Sequence, residues 1–282
     1  MLTCNLMGGL GNQIFQIFAT IAYAIKSRNQ FKFLAVDTLG SGSTTIRNTY
    51  WKSFFHRLQP FLINNISESI YVIRENGFQY NELSVYDMVG KDALIFGYFQ
   101  SYKYFQQSYD LICRIIGLNE LKINLLLKLN LNDDKLKNMI SMHFRIGDYK
   151  KIQHCHPLMT REYYERSLYH IKLAKPTNNF KIIYFCEDVD LDDVLITIDY
   201  LKDIFKDYEF ERGNNELEDW EQMLLMSCCH HNIIANSSFS WWGAYFNNWS
   251  DKIVCYPSIW FGPGINNNTK DLCPLNWIKI NA

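Results

Sequence analysis

Apolar residues recur along this chain in two rhythms, and their alternation is clearest in the second half. Short apolar runs, MISMHF (139–144), KIIYFC (181–186), NIIAN (232–236) and KIVCY (252–256), have the length and branching of buried strands. Between them stand longer segments with helical spacing. TREYYERSLYHIKLA (160–174), LDDVLITIDYLKDIF (191–205), ELEDWEQMLLMSCC (216–229) and SSFSWWGAYFNNW (237–249) each open on acidic or hydroxyl residues suited to a helix start. EFE (209–211) reads as a further short strand. Strand and helix in alternation predict a parallel, doubly wound sheet from about residue 136 onward.

The first half repeats the theme less cleanly. LTCNLM (2–7) reads as a strand, QIFQIFATIAYAIKSR (13–28) as a helix with Ile14, Ile17, Phe18, Ile21 and Ile25 on one face, and FKFLAV (31–36) as a second strand. ALIFGYF (93–99) reads as a strand and YKYFQQSYDLICRII (102–116) as a helix, while the stretch 38–90 shows no dominant period. The polar run KLNLNDDKLKN (128–138) suits a crossing between domains. The predicted division is therefore an N-terminal lobe, 1–135, and a C-terminal lobe, 136–282. A chain of 282 residues fits two domains of ordinary size.

Composition removes several classes of function. Hydrophobic residues form 48% of the chain and charged residues only 20%, which excludes a disordered chain. Lys plus Arg number 28 against 29 for Asp plus Glu, so no net field draws the chain to nucleic acid or an anionic membrane. The nearly apolar run from Ile14 to Ile25 is too short to span a bilayer and is not preceded by a signal peptide. A soluble, cytoplasmic protein is expected. Eight cysteines without a C-x-x-C spacing point to reduced, buried thiols. HCH (154–156) and CCHH (228–231) put neighbouring side chains in divergent directions, so zinc ligation is disfavoured. N-x-S/T triplets at Asn65, Asn236, Asn248 and Asn267 would matter only in a secretory pathway.

Candidate chemistry collects where predicted strands end. HFRIGDY (143–149) follows one strand, and the fixed fork of Arg145 suits a diphosphate. Alternatively, Arg145 and Asp148 pair with each other across the turn. NIIANSSFSWW offers a second strand-to-helix junction, where Ser237, Ser238 and Ser240 with the first helical amides could cradle an anion or merely cap the helix. Two such ends in one parallel sheet could face the same phosphate. The carboxylates of FCED (185–188) could bind ribose or base, or cap the next helix. His143 is either a ligand or a satisfied core residue, and Trp241 and Trp242 are read as packing. GGLGNQ (8–13) also lies between strand and helix. Ile14 stands where a dinucleotide fingerprint needs its last glycine, and FKFLAV itself ends on no acidic residue, the first being Asp37, so the nicotinamide reading is weak.

Three separated motifs, GGLGNQIFQ, HFRIGDY and HNIIANSSFSWWGAYFN, together resemble the alpha-1,2-fucosyltransferases of glycosyltransferase family 11. DW-EQM-LLMSCC and YPSIWF (256–261) add to the resemblance, which spans nearly the whole chain. It implies a GT-B-like α/β fold of two Rossmann-type lobes with parallel sheets facing a central cleft. It further implies inverting transfer of L-fucose from GDP-fucose to a hydroxyl of an acceptor glycan, alpha-1,2 to galactose, with no cofactor and no metal. The C-terminal lobe would hold the nucleotide sugar and the N-terminal lobe the acceptor. Carried over by position, His143, Arg145, Ser237, Ser238 and Phe239 match donor-binding residues, with Arg145 on the diphosphate. Asn12, between Gly9 and Gly11 and the helix, would face the reacting sugar. Asp148 matches the family's Asp, in a structural or acceptor-positioning role ahead of that of a base. The family's middle motif usually carries two adjacent arginines and here the second is Ile146; protein O-fucosyltransferases, similar in this motif, often have a nonpolar residue there. HCH and the stretch 38–90 match nothing in the family, and acceptor choice is expected there. A different nucleotide sugar, or a sugar-binding relative without catalysis, remains the alternative.

Overall fold

A computed structural model of the protein describes residues 1–40, 46–176 and 179–282. Residues 41–45, part of the stretch 38–90 expected to govern acceptor choice, lie outside the described residues. The chain divides into two compact units, one of residues 1–121 with 267–274 and the other of 122–266 with 275–282.

In the first unit β1 (Leu2–Cys4) leads into α1 (Leu10–Ser27), β2 (Phe33–Leu34), and the small antiparallel pair β3 (Thr38–Leu39) and β4 (Arg47–Asn48). β5 (Leu62–Ile63), β6 (Tyr71–Arg74) and β7 (Ala93–Phe96) follow. β1, β7 and β6 form one parallel sheet, and β2 pairs parallel with β5. A parallel bridge from Leu2 to Phe31 carries the ladder from β1 toward β2. The stretch 102–116, expected as one helix, is two turns of 3-10 helix and then α2 (Tyr109–Ile116), which ends on Gly117 at φ 72°. Ser101 caps the first of these turns, and only the last eight residues carry enough apolar spacing to bury Ile112 and Ile116.

α1 is buried almost all round, where the sequence predicts one apolar face. Ile14, Ile17, Phe18 and Ile21 are fully buried and Ile25 only partly so. The polar residues that enter the core with them have local work. Gln16 Oε1 accepts the Met7 amide at 2.9 Å, and Gln13 Nε2 donates to the carbonyls of Gly8 (3.1 Å) and Asn48 (2.9 Å). Buried amides without such partners would cost of the order of 1–3 kcal/mol each, so these bonds hold the glycine loop to the helix.

Helix α3 (Leu118–Lys128) precedes segment 128–138, read from sequence as a polar crossing, which contains the short α4 (Asp133–Leu136) capped by Asn132. The second unit then follows the expected alternation: β8 (Met139–His143), α5 (Arg161–Ala174), β9 (Lys181–Phe185), α6 (Leu191–Ile204), β10 (Glu209–Arg212), α7 (Asp219–Cys228), β11 (His231–Ile233), α8 (Ser238–Tyr245) and β12 (Val254–Pro257). A last strand, β13 (Ile278–Ile280), has too short an apolar signal to be read from sequence. All six strands are parallel, in the order β10-β9-β8-β11-β12-β13. The direction of winding reverses between β8 and β11. In such sheets ligands bind at the carboxyl ends of the two strands flanking the reversal. Ile140, Met142, Ile182, Ile198, Leu201 and Ile233 form the core on which this sheet is built.

The two parallel-sheet units bear out the α/β class with Rossmann-type organisation. Trp241 and Trp242 are fully buried, as expected of packing residues; they meet edge to face at 5.0 Å, and Trp241 stacks on Tyr245 at 4.6 Å. Among the described residues no helix is long and apolar enough to cross a membrane.

Candidate active site

The two loops at the winding reversal of the second unit are 144–149, after β8, and 234–237, after β11. They carry the residues that sequence reading singled out. The ladder continues one residue past β8, with the Phe144 amide on the Phe185 carbonyl at 2.8 Å. Arg145 emerges immediately beyond it. A tight turn follows, in which Gly147 adopts φ 33° and gives its amide to Asp190 Oδ2 at 2.6 Å. A side chain at Gly147 would place its Cβ 3.3 Å from the Glu187 carboxylate, which would have to give by a few tenths of an ångström, and the positive φ adds strain to any residue but glycine.

The Arg145 guanidinium uses both ends of its fork within the protein. Nη2 donates to Asp148 at 2.5 Å and Nη1 to Glu187, and the group lies 5.0 Å from the centre of the Tyr149 ring. The pairing of Arg145 with Asp148, one of the two readings from sequence, is thus present, with Glu187 added from the β9 end. Both acids are about half-exposed, while the Arg145 side chain is 20% exposed. Solvent access at that level leaves the pairs weak and exchangeable.

His143, the last residue of β8, is buried, and its ring lies 5.5 Å from that of Phe239. Burial, reinforced by the Arg145 charge, pushes its imidazole down to about 3, so it is neutral across the physiological range. Nδ1 of His143 has no hydrogen-bond partner among the described residues. A buried ring nitrogen left in this way is an acceptor or donor awaiting a ligand or a water.

On the other loop, Ser237 is the N-cap of α8 and its hydroxyl accepts the Phe239 amide at 3.3 Å. Ser238 and Phe239 open the first turn of α8, where the helix dipole favours an anion. Ser240 turns inward, its hydroxyl 3.5 Å from the Ser237 carbonyl, so it supports the cap rather than extending the cradle. Asn236 fixes the loop by donating to the carbonyls of Pro157 (3.0 Å) and Trp260 (3.2 Å), and its Oδ1 is buried without a partner among the described residues.

Tyr149 joins the two loops. Its hydroxyl donates to the Asn236 carbonyl at 3.3 Å, and its ring stacks on His156 at 4.7 Å. The HCH segment therefore supports the floor of the site: His156 also lies against Phe261, and the carbonyls of His154 and Cys155 accept the amides of Gly264 (2.8 Å) and Gly262 (2.9 Å). In CCHH, His230 bonds the Lys137 carbonyl (2.6 Å) and Asp251 (2.8 Å), and His231 accepts the Ile253 amide at 3.0 Å. Among the described residues no three His, Cys, Asp or Glu side chains are grouped as metal ligands.

His143, Arg145, Asp148, Ser237, Ser238 and Phe239 are thus brought to one edge of one sheet. Asn12, Gly9 and Gly11 lie in the first unit, at the start of α1. The helix begins at Leu10, so Gly11 and Asn12 sit in its first turn rather than in a loop before it. Gly8 carries the positive φ of 76°, and a Cβ there would meet Asn12 Nδ2 at 2.5 Å. Asn12 Oδ1 accepts from Gln100 Nε2 at 2.8 Å. Tyr149 and Asn236 are site residues that sequence reading left without a role, while Glu187 was read only as a ribose, base or helix-cap ligand and His156 only as part of a segment for acceptor choice. The signals for three of them lay in HFRIGDY, FCED and ANSSFS, but stacking and cross-loop bonds have no sequence signature.

A doubly wound parallel sheet with an arginine and a capped helix start at its winding reversal is an arrangement suited to a phosphate-bearing ligand. The chain belongs to glycosyl transferase family 11, which it matches over residues 1–281. Among curated proteins it is 29% identical over 300 residues to an alpha-1,2-colitosyltransferase of Escherichia coli, covering 99% of each chain. It is 28% identical over 323 residues to the O-antigen biosynthesis glycosyltransferase WbnK of Escherichia coli, covering 99% of this chain and 100% of that one. Among solved structures, a glycosyl transferase family 9 protein from Veillonella parvula matches with a TM-score of 0.51 at 9% identity, covering 99% of this chain and 86% of that chain. That likeness is one of fold.

Proposed function

We propose that this glycosyltransferase moves L-fucose from GDP-fucose, with inversion, to a hydroxyl of an acceptor glycan, alpha-1,2 to galactose. The observation that carries the reading is the convergence of Arg145 and the Ser237-capped start of α8 on the reversal between β8 and β11. As the bond to GDP breaks, positive charge grows on the sugar ring and negative charge on the diphosphate oxygens. Fixed donors aimed at those oxygens stabilise the transition state more than the ground state. The Arg145 fork and the positive end of the α8 dipole supply that stabilisation, and the neutral His143 ring beside Phe239 adds a polar atom without a competing charge.

Asp148, paired with Arg145, acts in this reading as a positioning group for the arginine and the acceptor side, and a loose, cation-like transition state asks little of a base until late in the reaction. Asn12, with Gly9 and Gly11, is assigned to sugar handling on the resemblance of GGLGNQIFQ. No metal ion is required, because the leaving diphosphate is met by the arginine and the helix start.

A second donor is favoured by one observation. A relative that covers the whole chain is a colitosyltransferase. Colitose is L-fucose without its 3-hydroxyl, so a single hydrogen-bonding contact to that position would decide between them. The test is a hydrolysis and transfer assay with GDP-fucose, GDP-colitose and uridine-linked sugars, with and without EDTA, against galactose-terminated acceptors. Transfer from GDP-fucose in EDTA is expected. Turnover of GDP-colitose alone would move the donor assignment, and turnover of only uridine-linked sugars would defeat it.

A further inference from the structure

We infer that Glu187 is a positioning residue that holds the Arg145 guanidinium while the donor site is empty and surrenders it to the donor's diphosphate. The inference rests on the reading of Arg145 as a diphosphate ligand. Arg145 offers a planar fork whose two terminal nitrogens are both engaged, one by Asp148 and one by Glu187. One positive charge against two negative ones leaves the cluster with a net charge of about −1, which repels an arriving diphosphate unless a carboxylate withdraws.

The two acids are not equivalent. Asp148 belongs to the same turn as Arg145, three residues on, and its pairing is set by the turn itself. Glu187 reaches Arg145 from beyond the end of the neighbouring strand β9 and lies close over Gly147, where a Cβ would stand 3.3 Å from its carboxylate. Its side chain is 56% exposed, so on leaving Arg145 it returns to water with little desolvation change. The acids that follow it are committed elsewhere. Asp188 pairs with Arg212, Asp190 accepts the Gly147 amide, and Lys150 lies 3.5 Å from Asp190 and 2.5 Å from Asp193. Glu187 is therefore the carboxylate of this segment that faces the arginine, and its loss would leave the turn's other anchors in place.

The consequence is a measurable penalty on donor binding. Calorimetric titration of the full chain with GDP and, separately, with inorganic pyrophosphate tests it. Glu187→Gln is expected to bind both about fivefold more tightly than wild type, the upper range for a partly exposed ion pair. In an Arg145→Gln background the same substitution is expected to give much less than fivefold, only the small gain from removing one exposed negative charge, because the release of the arginine is gone. Glu187→Ala serves as the second variant, with thermal melts to establish folding. Equal or weaker binding of both ligands, a gain that survives undiminished in the Arg145→Gln background, or tighter pyrophosphate with weaker GDP would overturn the inference. The last pattern would mean that Glu187 holds the nucleoside. If Glu187→Gln tightens pyrophosphate and GDP binds wild type no better than pyrophosphate does, the nucleotide reading falls and the role of Glu187 stands. Failure of both ligands to bind any variant overturns the two together.

Discussion

Arg145 leaves a fully buried strand and meets two carboxylates and an aromatic ring within a few residues, so its orientation is set before any ligand arrives. Removing a preorganised donor of this kind costs ~10²–10³ in rate. Arg145→Ala is expected to lose that factor in kcat while its melting temperature stays near wild type; near-normal turnover would defeat the assignment. His143 makes a prediction about pH. Its folded value of about 3 lies below the ordinary imidazole value, so between the two the unfolded chain binds a proton that the folded chain does not. Stability from this residue is complete above about pH 6.5 and declines as the pH falls toward 3. His231, pushed down to about 3 chiefly by burial with help from His230, behaves the same way. On going from pH 7 to 5, each is expected to remove on the order of 2 kcal/mol from the unfolding free energy measured with denaturant. In His143→Phe that decline should be visibly shallower, and an unchanged slope would show that the imidazole is not held neutral.

At the scale of elements, α8 is the piece that turns a strand end into an anion site. Its N-cap is supplied by Ser237 and its far end by two lysines, Lys252 donating to the carbonyls of Ala244 (3.0 Å) and Asn247 (2.5 Å) and Lys122 to that of Phe246 (2.5 Å). Positive charge at the C-terminus complements the helix dipole that favours an anion at the start. Ser237→Ala is expected to cost about 1 kcal/mol of stability and to weaken GDP binding in the same preparation. Lost stability with unchanged GDP affinity would reduce Ser237 to a cap. The glycine loop illustrates the opposite outcome. GGLGNQ looked like a loop before a helix, but α1 begins inside it at Leu10, because Gln13 and Gln16 satisfy the loop's backbone groups from within the first turns. Ile146, where the resemblance would place a second arginine, packs toward the core of the second unit, so the middle motif delivers one guanidinium to the sheet edge.

For the whole molecule, the sheet order of the second unit makes a prediction that no single residue makes. A ligand at the reversal must protect the ends of β8 and β11 together, although they are far apart in sequence. Hydrogen exchange with saturating GDP is expected to slow amides in 144–149 and in 235–240, and to leave those of β13 at the distant edge unchanged. Protection confined to one of the two loops would mean that they do not share a ligand.

Much of the second unit was legible in the amino-acid sequence, because each buried parallel strand is a short apolar run bounded by a helix with its own caps. The type of five of its strands, the paired motifs at Arg145 and Ser237, and the packing role of Trp241 and Trp242 follow from local pattern alone. The first unit was less legible, since its strands β2 to β5 are two residues long and its helical stretch 102–116 is broken by a serine cap. Tertiary structure alone decided that β8 and β11 are neighbours, that Glu187 joins Arg145 from a third strand end, and that His156 serves the site through a stacked tyrosine. The first two are pairings between residues about 40 to 90 positions apart, and local periodicity carries no information about which buried strand lies beside which.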